Sequence, residues 1–132
     1  MNYVIDCSFS SALFLPDEGS REVSDFFQNS LSDEDQIYVP QLWWYETNNV
    51  ICVSIRRKRL KSSQAIEVIR LLSQLPIQTD AAAGPVYSEE LLRITADHNI
   101  SSYDAAYLEL ALRKTARLMT LDKALGEIIV YF

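Results

Sequence analysis

Short runs rich in β-branched and aromatic residues alternate along this chain with helix-type segments, and no other feature narrows its fold so far. "NYVI" stands at the start, and "QIYVP", "PIQTD", "RLMTL" and "IIVYF" follow at intervals. Each has the length and composition of a buried strand. Between them lie "SFSSALFL", ended by Pro16, and "DEGSREVSDFFQNSL", which starts acidic and sets Val23, Phe26, Phe27 and Leu31 at helical spacing. Pro40 suits the first turn of the long helix after it. "SSQAIEVIRLLSQL" starts on serine caps, "VYSEELLRITADHN" follows the break at Gly84 and Pro85, and "SSYDAAYLELALRKTA" and a brief "DKALGE" complete the helices. Strand and helix in alternation predict a three-layer α/β domain, a mainly parallel central sheet flanked by helices. No linker, repeat or low-complexity segment interrupts residues 1–132, so one domain is expected, ending on a strand.

A chain of 132 residues can enclose a real core, and 48% hydrophobic with 23% charged residues is the composition of a globular protein. No apolar stretch reaches the roughly 18 to 20 residues that span a bilayer, and "MNYVIDCSF" lacks the form of a signal peptide. Cys7 and Cys52 stand far apart with no paired-cysteine motif, which fits a reducing cytoplasm; each is expected to be a small buried residue. The net charge of −6 argues at first sight against a nucleic-acid partner. Five of the twelve basic residues nevertheless gather in "RRKRLK": Arg56, Arg57, Lys58, Arg59 and Lys61. They either offset a helix C-terminal dipole or face a phosphate backbone.

Within "LWWYETNNVICVSIRR", Leu42, Trp43, Val50 and Val53 fall on one arc of about 100°, and Glu46 lies inside it. A carboxylate there must be protonated, paired with a cation or bound to a metal. No lysine or arginine lies within one turn, and Asn49 could orient Glu46 but not neutralise it. Three further acids hold places of interest. Asp6 and Asp122 directly follow strands, where open parallel sheets bind ligands, and Asp104 lies in the first turn of its helix. Each of the three could instead serve as a helix cap, Ser101 and Asp104 having the spacing of a capping box. Glu46 cannot be explained by capping. Acids converging without a basic partner call for a divalent ion, and oxygen donors suit Mg²⁺ or Mn²⁺.

Competing chemistries lack their residues. One histidine, His98, rules out paired-histidine RNA cleavage, and three glycines make no phosphate loop. Ser8 stands where a phosphoaspartate hydrolase needs its second acid, and the acids and lysine of a receiver domain are missing. Metal-dependent phosphodiester hydrolysis remains. A second apolar face on the long helix, Trp44, Ile51 and Ile55, awaits either a neighbouring helix of the same chain or a partner.

"VIDCSFSSALFLPDE", "VPQLWWYETNNV", "SSYDAAYLELAL" and "LMTLDKAL" resemble, in that order, the motif blocks of PIN-domain ribonucleases, most of all the VapC-type toxins of type II toxin–antitoxin modules. The blocks extend over nearly the whole chain. The resemblance implies a PIN-like parallel sheet between helices and an endoribonuclease that leaves a 5′-phosphate and a 3′-hydroxyl. Asp6, Glu46, Asp104 and Asp122 match the acidic quartet, which in the family holds one or two Mg²⁺ or Mn²⁺ ions, with Glu46 a ligand or an orienting group for water. Ser8 matches a hydroxyl residue beside the first aspartate, and Asn49 the asparagine of an E-x-x-N helix. Cys7 and the "DKALGEIIVYF" ending depart from the commonest pattern. Implied partners are an RNA substrate, transfer or ribosomal, a cognate antitoxin protein and a second copy of the chain in a homodimer. Glu109 lies about 140° from Asp104 on its helix and is expected to pair with Arg113. The alternatives are a non-catalytic protein-binding module of the same fold and a PIN nuclease outside toxin–antitoxin systems. A flap-type DNA nuclease would need a helical arch for which this length leaves no room.

Overall fold

The computed structural model describes residues 1–15 and 21–129. Strands β1 (Asn2–Ile5), β2 (Gln36–Pro40), β3 (Ile77–Asp80) and β4 (Arg117–Met119) form one sheet in the order β3-β2-β1-β4. All pairings are parallel, with Tyr3 beside Ile37 on one side and Arg117 on the other, and Pro40 beside Asp80. Helices α1 (Cys7–Ser11), α2 (Arg21–Asp25), α3 (Gln41–Arg56), α4 (Ser62–Ser73), α5 (Pro85–His98), α6 (Ser102–Arg113) and α7 (Lys123–Ile129) make the crossovers and cover the sheet. The expected α/β layering is present.

The chain steps outward from β1 to β2 to β3, then returns past the start to add β4 on the other side of β1. This reversal leaves a crevice beyond the carboxyl ends of β1 and β4, the place where open α/β sheets bind ligands. Asp6 and Asp122 are at its mouth by topology alone.

Val4, Ile5, Phe9, Ile37, Val39 and Trp43 are fully enclosed at the centre of the main core. Tyr3, Phe9, Phe26 and Phe27 meet edge to face or tilted beneath α1, which fixes the first crossover against β1. A smaller cluster of Ile94, Ala105 and Leu108 joins α5 to α6 and takes in Ile128.

Several expectations are corrected. α2 runs on into a π-helical turn, Phe26–Ser30, closed by Leu31 N–H donating to the Phe26 carbonyl at 3.0 Å. The predicted segment's first residues and Pro16 lie outside the described residues. The expected last strand is not one where described: Ile128 and Ile129 belong to α7, and residues 130–132 lie outside the described residues. Asp122 explains the difference, since its Oδ1 accepts Leu125 N–H at 3.0 Å and starts a helix that buries Leu125. Packing thereby overrides the strand preference of paired isoleucines. Pro40 ends β2 as the residue before α3, and α4 is capped not by serine but through Gln64 Oε1, which accepts Lys61 N–H at 2.8 Å. Neither cysteine is buried as expected: Cys7 is half-buried and Cys52 is exposed on α3.

The buried face of α3 also differs. It carries Trp43, Thr47, Ile51 and Ser54, so its centre lies roughly 60° or more round the helix from the stripe expected from hydropathy. Ser54 enters the core because it bonds locally, its Oγ donating to the Val50 carbonyl at 2.7 Å. The supposed second face is no free face. Ile51 is core, Ile55 packs against it, and Trp44 lies edge-on to Trp43 while its indole N–H donates to Thr79 Oγ1 at 2.8 Å.

Candidate active site

Asp6 leaves β1 extended and becomes the N-cap of α1, so one carboxylate oxygen, Oδ1, accepts Phe9 N–H at 2.9 Å and Ser8 Oγ–H at 2.7 Å. Its other oxygen accepts the Thr120 hydroxyl. Ser8 and Thr120 also receive bonds from the loop after β4: Leu121 N–H donates to Ser8 Oγ and Asp122 N–H to Thr120 Oγ1, each at 3.0 Å. A net of hydroxyls therefore ties the end of β1 to the end of β4. It holds the Asp6 carboxylate, 6% exposed, in one orientation. Asp122 stands exposed at the head of α7.

Glu46, half-buried, projects from the flank of α3 toward α6, where the Tyr107 hydroxyl donates to its Oε1. Burial pushes the Glu46 carboxyl above the ordinary range, the Tyr107 bond opposes this, and Asp6 and Asp104 add to it. Asp104 sits in the first turn of α6, its N–H capped by Ser101 Oγ at 3.1 Å. Its carboxyl is likewise raised by burial, then by Asp122 and Asp6. Tyr107 is held neutral, its hydroxyl pushed far up by burial and by the carboxylate it serves. The Cys7 thiol beside them is raised by burial above its ordinary value, so it is no nucleophile at neutral pH.

Four acids from four separate segments thus share one crevice and oppose each other's charge. The described ion pairs bring no lysine or arginine to any of them. An all-oxygen, uncompensated donor set fits a hard divalent ion. Among the described residues no three acids, histidines or cysteines stand close enough to enclose an ion as they are placed, so side chains would draw inward to hold one. Both of the capping roles foreseen for Asp6 and Asp122 are real, and they coexist with the gathering of charge. Glu109 is absent from the crevice and pairs with Arg113 as expected, Arg113 Nε donating to its Oε1 at 2.7 Å.

Asn49 is exposed one turn after Glu46, and no hydrogen bond joins the two. Arg56, Arg57, Lys58 and Lys61 are exposed and Arg59 half-buried at the far end of α3. Ten residues separate Arg56 from Glu46, a distance of about 15 Å along the helix. This end is closed by a Schellman turn in which Lys58 takes φ 59° and Arg59 N–H donates to the Ser54 carbonyl at 2.8 Å. Tyr107 and Thr120, which orient two of the acids, were missed by the sequence reading. Their signals are positional: Tyr107 lies three residues after Asp104 on one helical face, and Thr120 directly follows β4, two residues before Asp122.

Known proteins resemble this chain in sequence and fold. The chain is 26% identical over 127 residues to Ribonuclease VapC3 of Pyrobaculum aerophilum, covering 96% of this chain and 94% of that one. Its fold matches the crystal structure of PAE2754 from Pyrobaculum aerophilum with a TM-score of 0.69 at 20% identity, over 99% of this chain and 88% of the other. VapC20 of Mycobacterium tuberculosis, described as a sarcin–ricin loop cleaving toxin, matches with a TM-score of 0.69 at 14% identity, over 96% and 94%. The PIN domain model matches residues 3–129, nearly the full length, and the chain belongs to the PIN domain family.

Proposed function

We propose that this protein is a divalent-metal-dependent endoribonuclease of the VapC type, acting as the toxin of a type II toxin–antitoxin pair. The observation that carries the reading is the meeting of Asp6, Glu46, Asp104 and Asp122 at the β1–β4 crevice with no described cation to balance them. Likeness to Ribonuclease VapC3 along almost the whole chain supports the VapC-type ribonuclease activity.

Asp6, Asp104 and Asp122 would hold Mg²⁺ or Mn²⁺, and Glu46 would either complete the set or orient the attacking water. A bound ion supplies activation of water and neutralisation of charge on the phosphate oxygens. The chain's own residues prepare the ground. Three donors fix Asp6 before any ligand arrives, so little reorganisation is asked of it. Tyr107 holds the Glu46 carboxylate through Oε1, which leaves Oε2 available to a ligand. The cationic end of α3 would contact flanking backbone at a distance from the cleaved bond.

Incubation of RNA with the purified protein tests the proposal. Cleavage with Mn²⁺ or Mg²⁺, lost in EDTA and lost in Asp104→Asn, is the expected result. Equal cleavage in EDTA would remove the metal mechanism. Growth arrest on expression of the chain alone, relieved by Asp104→Asn and by co-expression of an adjacent reading frame, would mark the toxin. Harmless expression of folded protein would count against it.

A further inference from the structure

Tyr107 belongs to the main core and is 2% exposed on α6. Phenylalanine would fill the same space with no hydroxyl to desolvate, and a buried hydroxyl costs stability unless it finds a partner. The partner here is Glu46 Oε1, 61 residues away on α3. Among the described residues no other hydrogen bond joins α3 to α6.

Glu46 depends on that hydroxyl in turn. The Asp6 carboxylate accepts three hydrogen bonds and that of Asp122 accepts Leu125 N–H, whereas the described bonds give the Glu46 carboxylate Tyr107 alone. Asp6 and Asp104 repel it. Glu46 is half-buried at the flank of α3 on a long, rotatable side chain, so without the bond repulsion would turn it outward. Tyr107 follows Asp104 by three residues, which sets both on one face of α6. The helix that supplies one acid of the crevice therefore holds another in place.

A group that bonds a metal-ligating side chain from outside fixes which of its atoms meets the ion. With Oε1 engaged by Tyr107, Glu46 has Oε2 to offer. Ligation through one carboxylate oxygen suits the small octahedral ion Mg²⁺, and Mn²⁺ with it, whereas the larger Ca²⁺ takes more oxygens and readily draws two from one carboxylate. We propose that Tyr107 is a positioning residue that holds Glu46 as a one-oxygen ligand of the divalent ion and thereby favours Mg²⁺ and Mn²⁺ over Ca²⁺. The inference rests on the metal-dependent reading above and deepens it, since it assigns Glu46 to the ion and not to the attacking water.

Mn²⁺ binding to the full chain, followed by the electron paramagnetic resonance of the free ion, with Ca²⁺ measured by competition, tests this. The parent is compared with Tyr107→Phe, Glu46→Gln and the double variant. Tyr107→Phe is expected to weaken Mn²⁺ binding roughly 10- to 100-fold and Ca²⁺ binding by a smaller factor, so the preference between the ions narrows. Glu46→Gln should weaken Mn²⁺ at least as far, with no further loss when Tyr107→Phe is added. Thermal unfolding in EDTA should find Tyr107→Phe folded, because its ring stays in the core. Unchanged Mn²⁺ affinity in Tyr107→Phe, equal losses for both ions, or a second full loss in the double variant would each overturn the inference and leave the metal centre in place. An unfolded Tyr107→Phe would make the hydroxyl a structural group and overturn it too. A parent that binds no Mn²⁺ and cleaves no RNA with any divalent ion removes the metal-dependent reading itself.

Discussion

Arg113→Met isolates one interaction that holds α6 to the edge of the sheet. The guanidinium forks onto Asp80 at the end of β3, Nη1 to Oδ1 at 3.0 Å and Nη2 to Oδ2 at 2.7 Å, while Nε reaches Glu109 at 2.7 Å. Asp80 and Glu109 side chains are 12% and 9% exposed, so removing their shared cation strands two nearly covered carboxylates. Breaking a buried pair costs about 3–5 kcal/mol. Arg113 is itself 38% exposed, and water screens what remains, so about 2–3 kcal/mol is the expected loss. Methionine keeps most of the stem, which limits the packing contribution. Urea unfolding followed by Trp43 and Trp44 fluorescence should show the midpoint lowered by about 1–2 M with an unchanged slope. The pH dependence supplies a second reading. The Arg113 hydrogen bond is the main cause holding the Asp80 carboxyl below its ordinary value. A depressed carboxyl contributes stability that is whole above the unfolded-state pKa and is lost as pH falls through the lower folded one. The gap between parent and variant should therefore narrow below about pH 4. A penalty under about 0.5 kcal/mol at pH 7, or one undiminished at pH 3, would refute the reasoning.

Asp104→Asn should raise thermal stability at neutral pH while abolishing RNA cleavage, because burial and the neighbouring acids oppose its charge and the Ser101 cap to its N–H is untouched. Asp6→Ala should abolish cleavage too, yet lower stability by about 1–2 kcal/mol in urea titration, since Phe9 N–H, Ser8 and Thr120 lose their acceptor. Equal stability changes in the two variants would contradict the distinct tasks given to these aspartates. Lys58→Gly should stabilise by about 0.5–1 kcal/mol in the same titration, because a lysine at φ 59° pays a steric cost that glycine lacks.

Which parts were legible in the sequence follows from where the deciding forces act. The four described strands and the helices between them could be read because β-branched runs and capping residues are local signals, and Asp6 and Ser101 cap where they were expected to. Asp6 and Asp122 stood out because strand ends are visible in one dimension, whereas Glu46 stood out through a stripe that is not the buried face of α3. The face of α3 was misjudged because hydropathy ranks Thr47 and Ser54 as surface residues, while a local bond to the Val50 carbonyl lets Ser54 into the core and Thr47 donates across to Cys7 Sγ at 4.0 Å. Strand propensity in "IIVYF" was outweighed at Ile128 by a cap at Asp122 and packing on α6. Thr120 and Tyr107 were hidden since their importance is a matter of what they meet, 114 and 61 residues away.

That separation has a temporal side. Asp6 is synthesised before the hydroxyl that fixes its second oxygen, which comes 114 residues later. At roughly 5–20 residues per second, about 6–23 s of translation pass before Thr120 exists. Until then β1 lacks its β4 neighbour and the crevice lacks one wall, so a nascent chain carries the first acid of the cluster without the frame that positions it. A protein that attacks RNA would in this way be delayed from acting on the ribosome or messenger that is producing it. A chain that ends before β4 would likewise lack the strand that pairs beside β1 and the hydroxyl that holds Asp6.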